Sequence, residues 1–341
     1  MTLNPIDWSW MTIFLVVGLS VVVLITAWVA ALPWIVQPFL RIALKVRYDL
    51  VILGRDNVPR TGPVLLVSNH VTWFDGFFLA ASIPRRGTAL VNAGIFSLPI
   101  VGYLARRCGL LSIPYTGPKA QRVAIGTARS ALDDGKLLGI FPEGQLSRNG
   151  FTGAFHRGLE VILNGREQVP VVPVYVGNVW GSLLSYSEGR CLWKKPQGRR
   201  RKVIIAFGPP VPPPVDVFKV RQAILVQGVV ARGRAPQPVA PIEGDPALPS
   251  WRHPTLGLLA ASVADDDQGG AKQVGQKPGT VGHAIPGVAL RAVTDDGEVL
   301  GPNLVGDLEA LRPDRPEWAK TGRRGQIDRA GFVTLEAADG H

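Results

Sequence analysis

Cysteine is nearly absent: Cys108 and Cys191 are the two in 341 residues. That excludes a disulfide scaffold and fits a reducing compartment. Histidine is scarce, at five, and His156, His253, His283 and His341 share no ligand spacing with His70, so no metal is expected. Charge is missing altogether from residues 8–40. Acidic residues are thin in the body: residues 1–240 hold 27 Lys+Arg against 11 Asp+Glu, a net +16. Residues 241–341 reverse this, with 10 against 15, a net −5. A basic body on an acidic tail predicts an anionic partner for the body alone.

The uncharged N-terminal stretch says which partner. Residues 11–31 are almost wholly apolar, and about 20 such residues suffice to cross a bilayer core. No basic n-region precedes them and no small-residue cleavage site follows, which argues against a removable signal peptide. Arg41, Lys45, Arg47, Arg55 and Arg60 come next, whereas only Asp7 precedes. The positive-inside rule then predicts an inner-membrane protein with everything after residue 40 in the cytoplasm. Pro33 and Pro38 offer a place to break the long helix into a spanning and an interfacial part. A buried core helix is the alternative.

Downstream, short apolar runs at 64–68, 137–141, 171–176 and 203–207 read as buried strands, with helices over 72–82 and 122–132 between them. This rhythm predicts an α/β fold with a mostly parallel sheet flanked by helices. The proline run at 208–214 closes the sheet, and 218–230 reads as one more helix. The expected organisation is an anchor at 1–40, an α/β domain at 41–232, a Pro-rich linker at 233–250 and a small β-rich appendage at 251–341.

Two motifs follow strand ends, where open α/β sheets build their sites. Asn69-His70-Val71-Thr72-Trp73-Phe74-Asp75 places an imidazole and a carboxylate five positions apart; Phe141-Pro142-Glu143-Gly144 places a carboxylate beside a glycine. General-base catalysis needs a group that takes a proton and a partner that orients it. An imidazole, titrating near pH ~6.5, suits the first task, and Asp75 suits the second if a helix begins at 71 or 72. Neither motif holds a Ser or Cys nucleophile, so no covalent enzyme intermediate is expected. Plainer readings exist: His70 as a helix cap, Asp75 as a turn former, Arg148 as a solvated side chain. Six cations, Lys194, Lys195, Arg199, Arg200, Arg201 and Lys202, fit anionic lipid or a solvated loop; without interleaved aromatics they do not suggest nucleic acid.

The His-x4-Asp motif, Phe-Pro-Glu-Gly, and the run from Val169 to Val174 resemble the glycerolipid (lysophospholipid) acyltransferase family over residues 45–215. The resemblance implies that family's fold, His70 and Asp75 as the catalytic pair, and Glu143, Gly144 and Arg148 as acceptor- and phosphate-binding residues. It implies membrane phospholipids as partners, with acyl carrier protein or CoA thioester as co-substrate and no other cofactor. The family's arginine-bearing block between the motifs reads Gly109-Leu110-Leu111-Ser112-Ile113-Pro114-Tyr115-Thr116, without that arginine. The tail, with Lys277-Pro278-Gly279-Thr280 and Asp328-x-x-Gly331-Phe332, resembles part of an adenylate-forming acyl-CoA/acyl-ACP synthetase. It lacks that family's phosphate loop and lysine-bearing lid, and Thr-Gly-Asp reads Thr321-Gly322-Arg323, so no second catalytic site is expected.

The expected function is transfer of a fatty acyl group from acyl-ACP or acyl-CoA to a lysophospholipid hydroxyl. The acceptor is of the lysophosphatidic acid or 2-acylglycerophosphoethanolamine type. The rivals are a catalytically degenerate lipid-binding or scaffold protein and a thioester hydrolase.

Overall fold

The computed structural model describes residues 8–114, 118–189, 200–235, 245–266 and 273–337. Its centre is a seven-stranded sheet in the order β1-β7-β6-β2-β5-β3-β4. The strands are β1 (Tyr48–Leu53), β2 (Val64–Ser68), β3 (Thr88–Asn92), β4 (Leu111–Ile113), β5 (Leu137–Ile140), β6 (Val171–Gly177) and β7 (Arg201–Phe207). Neighbours run parallel except β6 and β7, which are antiparallel. Every residue of β2 is buried, as a central strand covered on both faces requires.

Alternate residues feed two cores. Leu66, Val172, Val174 and Ile205 pack with Phe78 and Leu79 of helix α2 (Asp75–Ser82) on one face. Leu65, Val67 and Val171 pack on the other with Leu132, Leu159 and Ile224. These last come from α5 (Pro118–Asp133), α6 (Gly158–Leu163) and α7 (Val217–Arg232). Helices α3 (Ala93–Phe96) and α4 (Pro99–Arg107) link β3 to β4. The Asp216 side chain caps α7 by accepting the Lys219 N–H at 2.8 Å.

Helix α1 (Trp8–Arg47) corrects the N-terminal expectation. Among the described residues no helix is long and apolar enough to cross a membrane. The helix is not broken at Pro33 or Pro38 but runs on into the domain. There Leu44 is buried, and Arg41 donates to the carbonyls of Ala81 and Ile83 at 2.6 and 3.0 Å. Its last turns, from Arg41 on, are therefore packed into the α/β core. The helix is 40 residues long. Phe14, Leu19, Leu24, Trp28, Trp34 and Phe39 stand exposed along it.

The C-terminal part is antiparallel throughout. Strands β8 (Ser250–His253), β9 (Gly257–Ala261) and β10 (His283–Ala284) form one sheet. Strands β11 (Ala289–Val293), β12 (Gly306–Arg312), β13 (Arg315–Ile327) and β14 (Val333–Leu335) form another. Trp251, Leu259, Leu290, Leu308, Ile327 and Val333 make its core, and Phe218 of α7 completes it. Leu225 and Val229 of α7 pack against Ala289 and Leu311. The appendage thus packs on α7; residues 236–244, half of the linker expected at 233–250, lie outside the described residues.

Of the six-cation cluster, Lys194, Lys195 and Arg199 lie outside the described residues. Arg201 faces inward: it is buried and donates to the carbonyls of Asn178, Trp180 and Gly181. Arg200 donates to the Lys45 carbonyl.

Candidate active site

Strands β2 and β5 are parallel neighbours, so residues 69–75 and 141–153 leave the sheet at the same edge. Asn69 anchors the first segment: its Oδ1 accepts the Val176 N–H at 2.8 Å and its Nδ2 donates to the Val176 carbonyl at 3.2 Å. The helix then starts at Asp75, not at 71 or 72 as the sequence suggested, and residues 70–74 wrap around the Asp75 carboxylate. Oδ2 accepts the N–H groups of Val71 and Thr72 at 2.6 and 2.8 Å and lies 3.0 Å from His70 Nδ1. Oδ1 accepts the Thr72 hydroxyl at 2.5 Å. With Nδ1–H donating to the buried carboxylate, Nε2 of His70 carries the lone pair. The ring stacks on Phe141 at 4.0 Å between centroids, 15° apart, and keeps 22% of its surface exposed. A fixed tautomer on a half-open face is what a general base requires.

Glu143 is buried and ties the two segments together. Oε1 accepts the His70 N–H and Oε2 the Gly153 N–H, each at 2.9 Å. Burial pushes its pKa up to about 7, against the pull of those two N–H groups and of the His70 and Arg221 charges. Gly144 has φ 67°, where an L side chain is strained, and a Cβ there would come within 3.1 Å of the His156 ring. Its N–H closes a turn onto the Phe141 carbonyl at 3.1 Å.

Ser147 N–H donates to the His70 carbonyl at 2.7 Å, which brings the following residue, Arg148, beside the motif. The Arg148 guanidinium lies over the Tyr186 ring at 3.6 Å. Segment 182–187 covers the turn, with Thr72 bridged to Ser185. All five candidate residues, His70, Asp75, Glu143, Gly144 and Arg148, therefore share one edge of the sheet. Sequence reasoning missed Asn69, Thr72, Phe141, Ser147 and Tyr186. Thr72, three residues before an aspartate at a helix start, carried a usable local signal; Tyr186 carried none. Among the described residues no group of three or more His, Cys, Asp or Glu is placed to hold a metal ion.

Residues 49–177 match the family described as Acyltransferase. The chain is 26% identical over 190 residues to a chloroplast 1-acyl-sn-glycerol-3-phosphate acyltransferase of Brassica napus, covering 51% of this chain and 55% of that protein. It is 35% identical over 116 residues to a lyso-ornithine lipid O-acyltransferase of Pseudomonas aeruginosa, covering 34% of this chain and 43% of that one. The crystal structure of a 1-acyl-sn-glycerophosphate acyltransferase from Thermotoga maritima aligns over 52% of this chain and 68% of that one, at 22% identity and a TM-score of 0.41. The chain thus spans about half the length of the curated relatives it matches. The family match takes in β2, β5, β6 and both motifs.

Proposed function

We propose that this chain is an O-acyltransferase that moves a fatty acyl group from a thioester, acyl-ACP or acyl-CoA, to the free hydroxyl of a lysophospholipid. The observation that carries the reading is the His70–Asp75 pair: a carboxylate held by two amides and a hydroxyl, orienting a half-exposed imidazole. His70 Nε2 takes the proton as the acceptor oxygen attacks the thioester carbonyl. The C–S bond then breaks and the leaving thiolate takes that proton back. Such a base contributes roughly 10²–10⁴-fold in rate. Glu143 braces the base from behind, and Arg148 is the cation assigned to an acceptor phosphate.

The acceptor class is lysophosphatidic acid or 2-acylglycerophosphoethanolamine. A stretch at 109–116 without the family's arginine favours an acceptor with less need of a bare phosphate, and a relative named for a lyso-ornithine lipid agrees with that. The reaction is assigned to a membrane surface on the cytoplasmic side of the inner membrane. Supporting this are the exposed Trp28, Trp34 and Phe39 of α1, the exposed Phe77 of α2, which packs against α1, and the exposed Trp73 just before α2. The C-terminal part is assigned no adenylation chemistry.

The test is transfer from radiolabelled acyl-ACP and acyl-CoA to a panel of lysophospholipids in detergent, wild type against His70→Ala. Product that disappears in the variant supports the enzyme and identifies its acceptor. Equal product from both proteins, or none from either, removes the catalytic reading in favour of a lipid-binding protein. Acyl release without any acceptor would indicate a thioester hydrolase.

A further inference from the structure

Gln273 lies between β9 and β10 and is 5% exposed, yet its carboxamide reaches across to the loop after β5. Oε1 accepts the Arg148 N–H at 2.6 Å, and Nε2 donates to Asn149 Oδ1 at 2.9 Å. Asn149 Oδ1 in turn accepts the Phe151 N–H at 3.0 Å. The backbone of Gln273 is itself fixed, exchanging N–H···O bonds of 2.6 and 3.0 Å with Asp266. A second buried side chain holds the other end of the loop. Arg221 of α7 donates from Nε to the Gly153 carbonyl at 3.2 Å and from Nη2 to the Thr152 carbonyl at 3.0 Å. Gly331 of the C-terminal part packs flat on that guanidinium, where any Cβ would overlap it, and the Asp328 charge lies near enough to favour the cation.

Between these two grips runs a stretch with neither strand nor helix, residues 144–153. It carries Gly144 and Arg148, and through the Gly153 N–H it holds the Glu143 carboxylate that receives the His70 amide. A segment of this kind has its full backbone freedom to lose on ordering. Four bonds from buried side chains, two supplied by Gln273 and two by an Arg221 seated under Gly331, fix it.

We propose that the C-terminal β part is a clamp that sets the geometry of residues 144–153, with Gln273 and Arg221 as positioning residues for Arg148 and Glu143. This rests on the acyl-transfer reading for its consequence, though not for the clamp itself. Neither residue reaches the reacting atoms; each acts through the loop. The consequence falls on the acceptor side, because the clamped segment carries the residues assigned to the acceptor, whereas His70 and Asp75 are held by their own turn.

The experiment uses the full chain in detergent with Gln273→Met, which keeps the shape and removes both bonds. Two readouts are taken: amide hydrogen exchange in peptides from 144–156, and transfer kinetics with lysophosphatidic acid and 2-acylglycerophosphoethanolamine as acceptors. Exchange is expected to rise about tenfold. Acceptor kcat/KM is expected to fall roughly tenfold to a hundredfold, with donor KM within about twofold of wild type. Unchanged exchange overturns the clamp; faster exchange with wild-type acceptor kinetics overturns the positioning role. If the wild type transfers to no acceptor, the acyl-transfer reading falls, and the exchange result still decides the clamp. Should the Met variant fail to fold, Gln273→Glu keeps the acceptor for the Arg148 amide and is expected to show the same changes, smaller.

Discussion

Asp75 does two jobs with one carboxylate, and its replacement separates them. In Asp75→Asn, an amide nitrogen at the Oδ2 position would face three donors: the Val71 and Thr72 N–H groups and His70 Nδ1. The turn would lose about 1–3 kcal/mol through unsatisfied buried N–H groups. Transfer would fall by roughly 10²–10⁴ as the imidazole loses its fixed tautomer. Urea unfolding and kcat on the same preparation check both. A stability loss with full activity would show that the pair is structural only.

Glu143 makes a pH prediction at the same scale. Its folded pKa of about 7 lies above the ordinary 4.5, so between these values the native state holds a proton that the unfolded state has released. Stability contributed here is present below about 4.5 and is lost as pH rises through about 7, on the order of 3 kcal/mol in all. Glu143→Gln removes this titration. The unfolding free energy of wild type minus variant should therefore decline from pH 4.5 to 7.5; a flat difference would mean that Glu143 is ionised throughout.

Among elements, the turn at Gly144 shows how local chemistry sets the site. Its φ of 67° costs an L residue about 1–2 kcal/mol, and the added methyl would press on His156. Gly144→Ala is expected to lower stability by about that amount and to weaken acceptor use more than donor use. Thermal unfolding and the two KM values check it. The strands were legible because buried parallel strands read as unbroken apolar runs, and β2 appears at the very residues its pattern predicts. The start of α2 was not legible: the carboxylate captures the Val71 and Thr72 amides and holds residues 70–74 out of the helix. Strands β1, β3 and β4 were missed: Leu111–Ile113 and Thr88–Asn92 carry no long apolar run, and the run Leu50–Leu53 of β1 follows directly on the apolar N-terminal helix.

At the scale of the whole molecule, the α/β domain and the C-terminal sheets share the side chains of α7. Phe218, Leu225 and Val229 leave α7 to pack against the C-terminal sheets, and each such side chain contributes about 1.5–3 kcal/mol when fully buried. Deleting residues 245–341 is therefore expected to destabilise the α/β domain by several kcal/mol and to lower soluble yield. An unchanged unfolding midpoint would mean the parts are independent. At the other end, deleting residues 8–40 is expected to abolish flotation with anionic phospholipid vesicles. Retained flotation would move the membrane contact to Trp73, Phe77 and the rest of the domain.

What the sequence determined by itself is what short range can encode. Apolar periodicity wrote the mostly parallel sheet, and the spacing of His70 and Asp75 and the Glu143-Gly144 pair named the candidate residues; their order along the chain placed them after β2 and β5. Tertiary structure alone decided the rest. Whether α1 ends at residue 40 depends on Arg41 finding carbonyls at Ala81 and Ile83, and whether Arg201 faces lipid depends on three carbonyls around residue 180. That Gln273 grips Arg148 from 125 positions away follows from how two sheets pack around α7, and no local pattern records such a contact, because its partners meet only once the chain has folded.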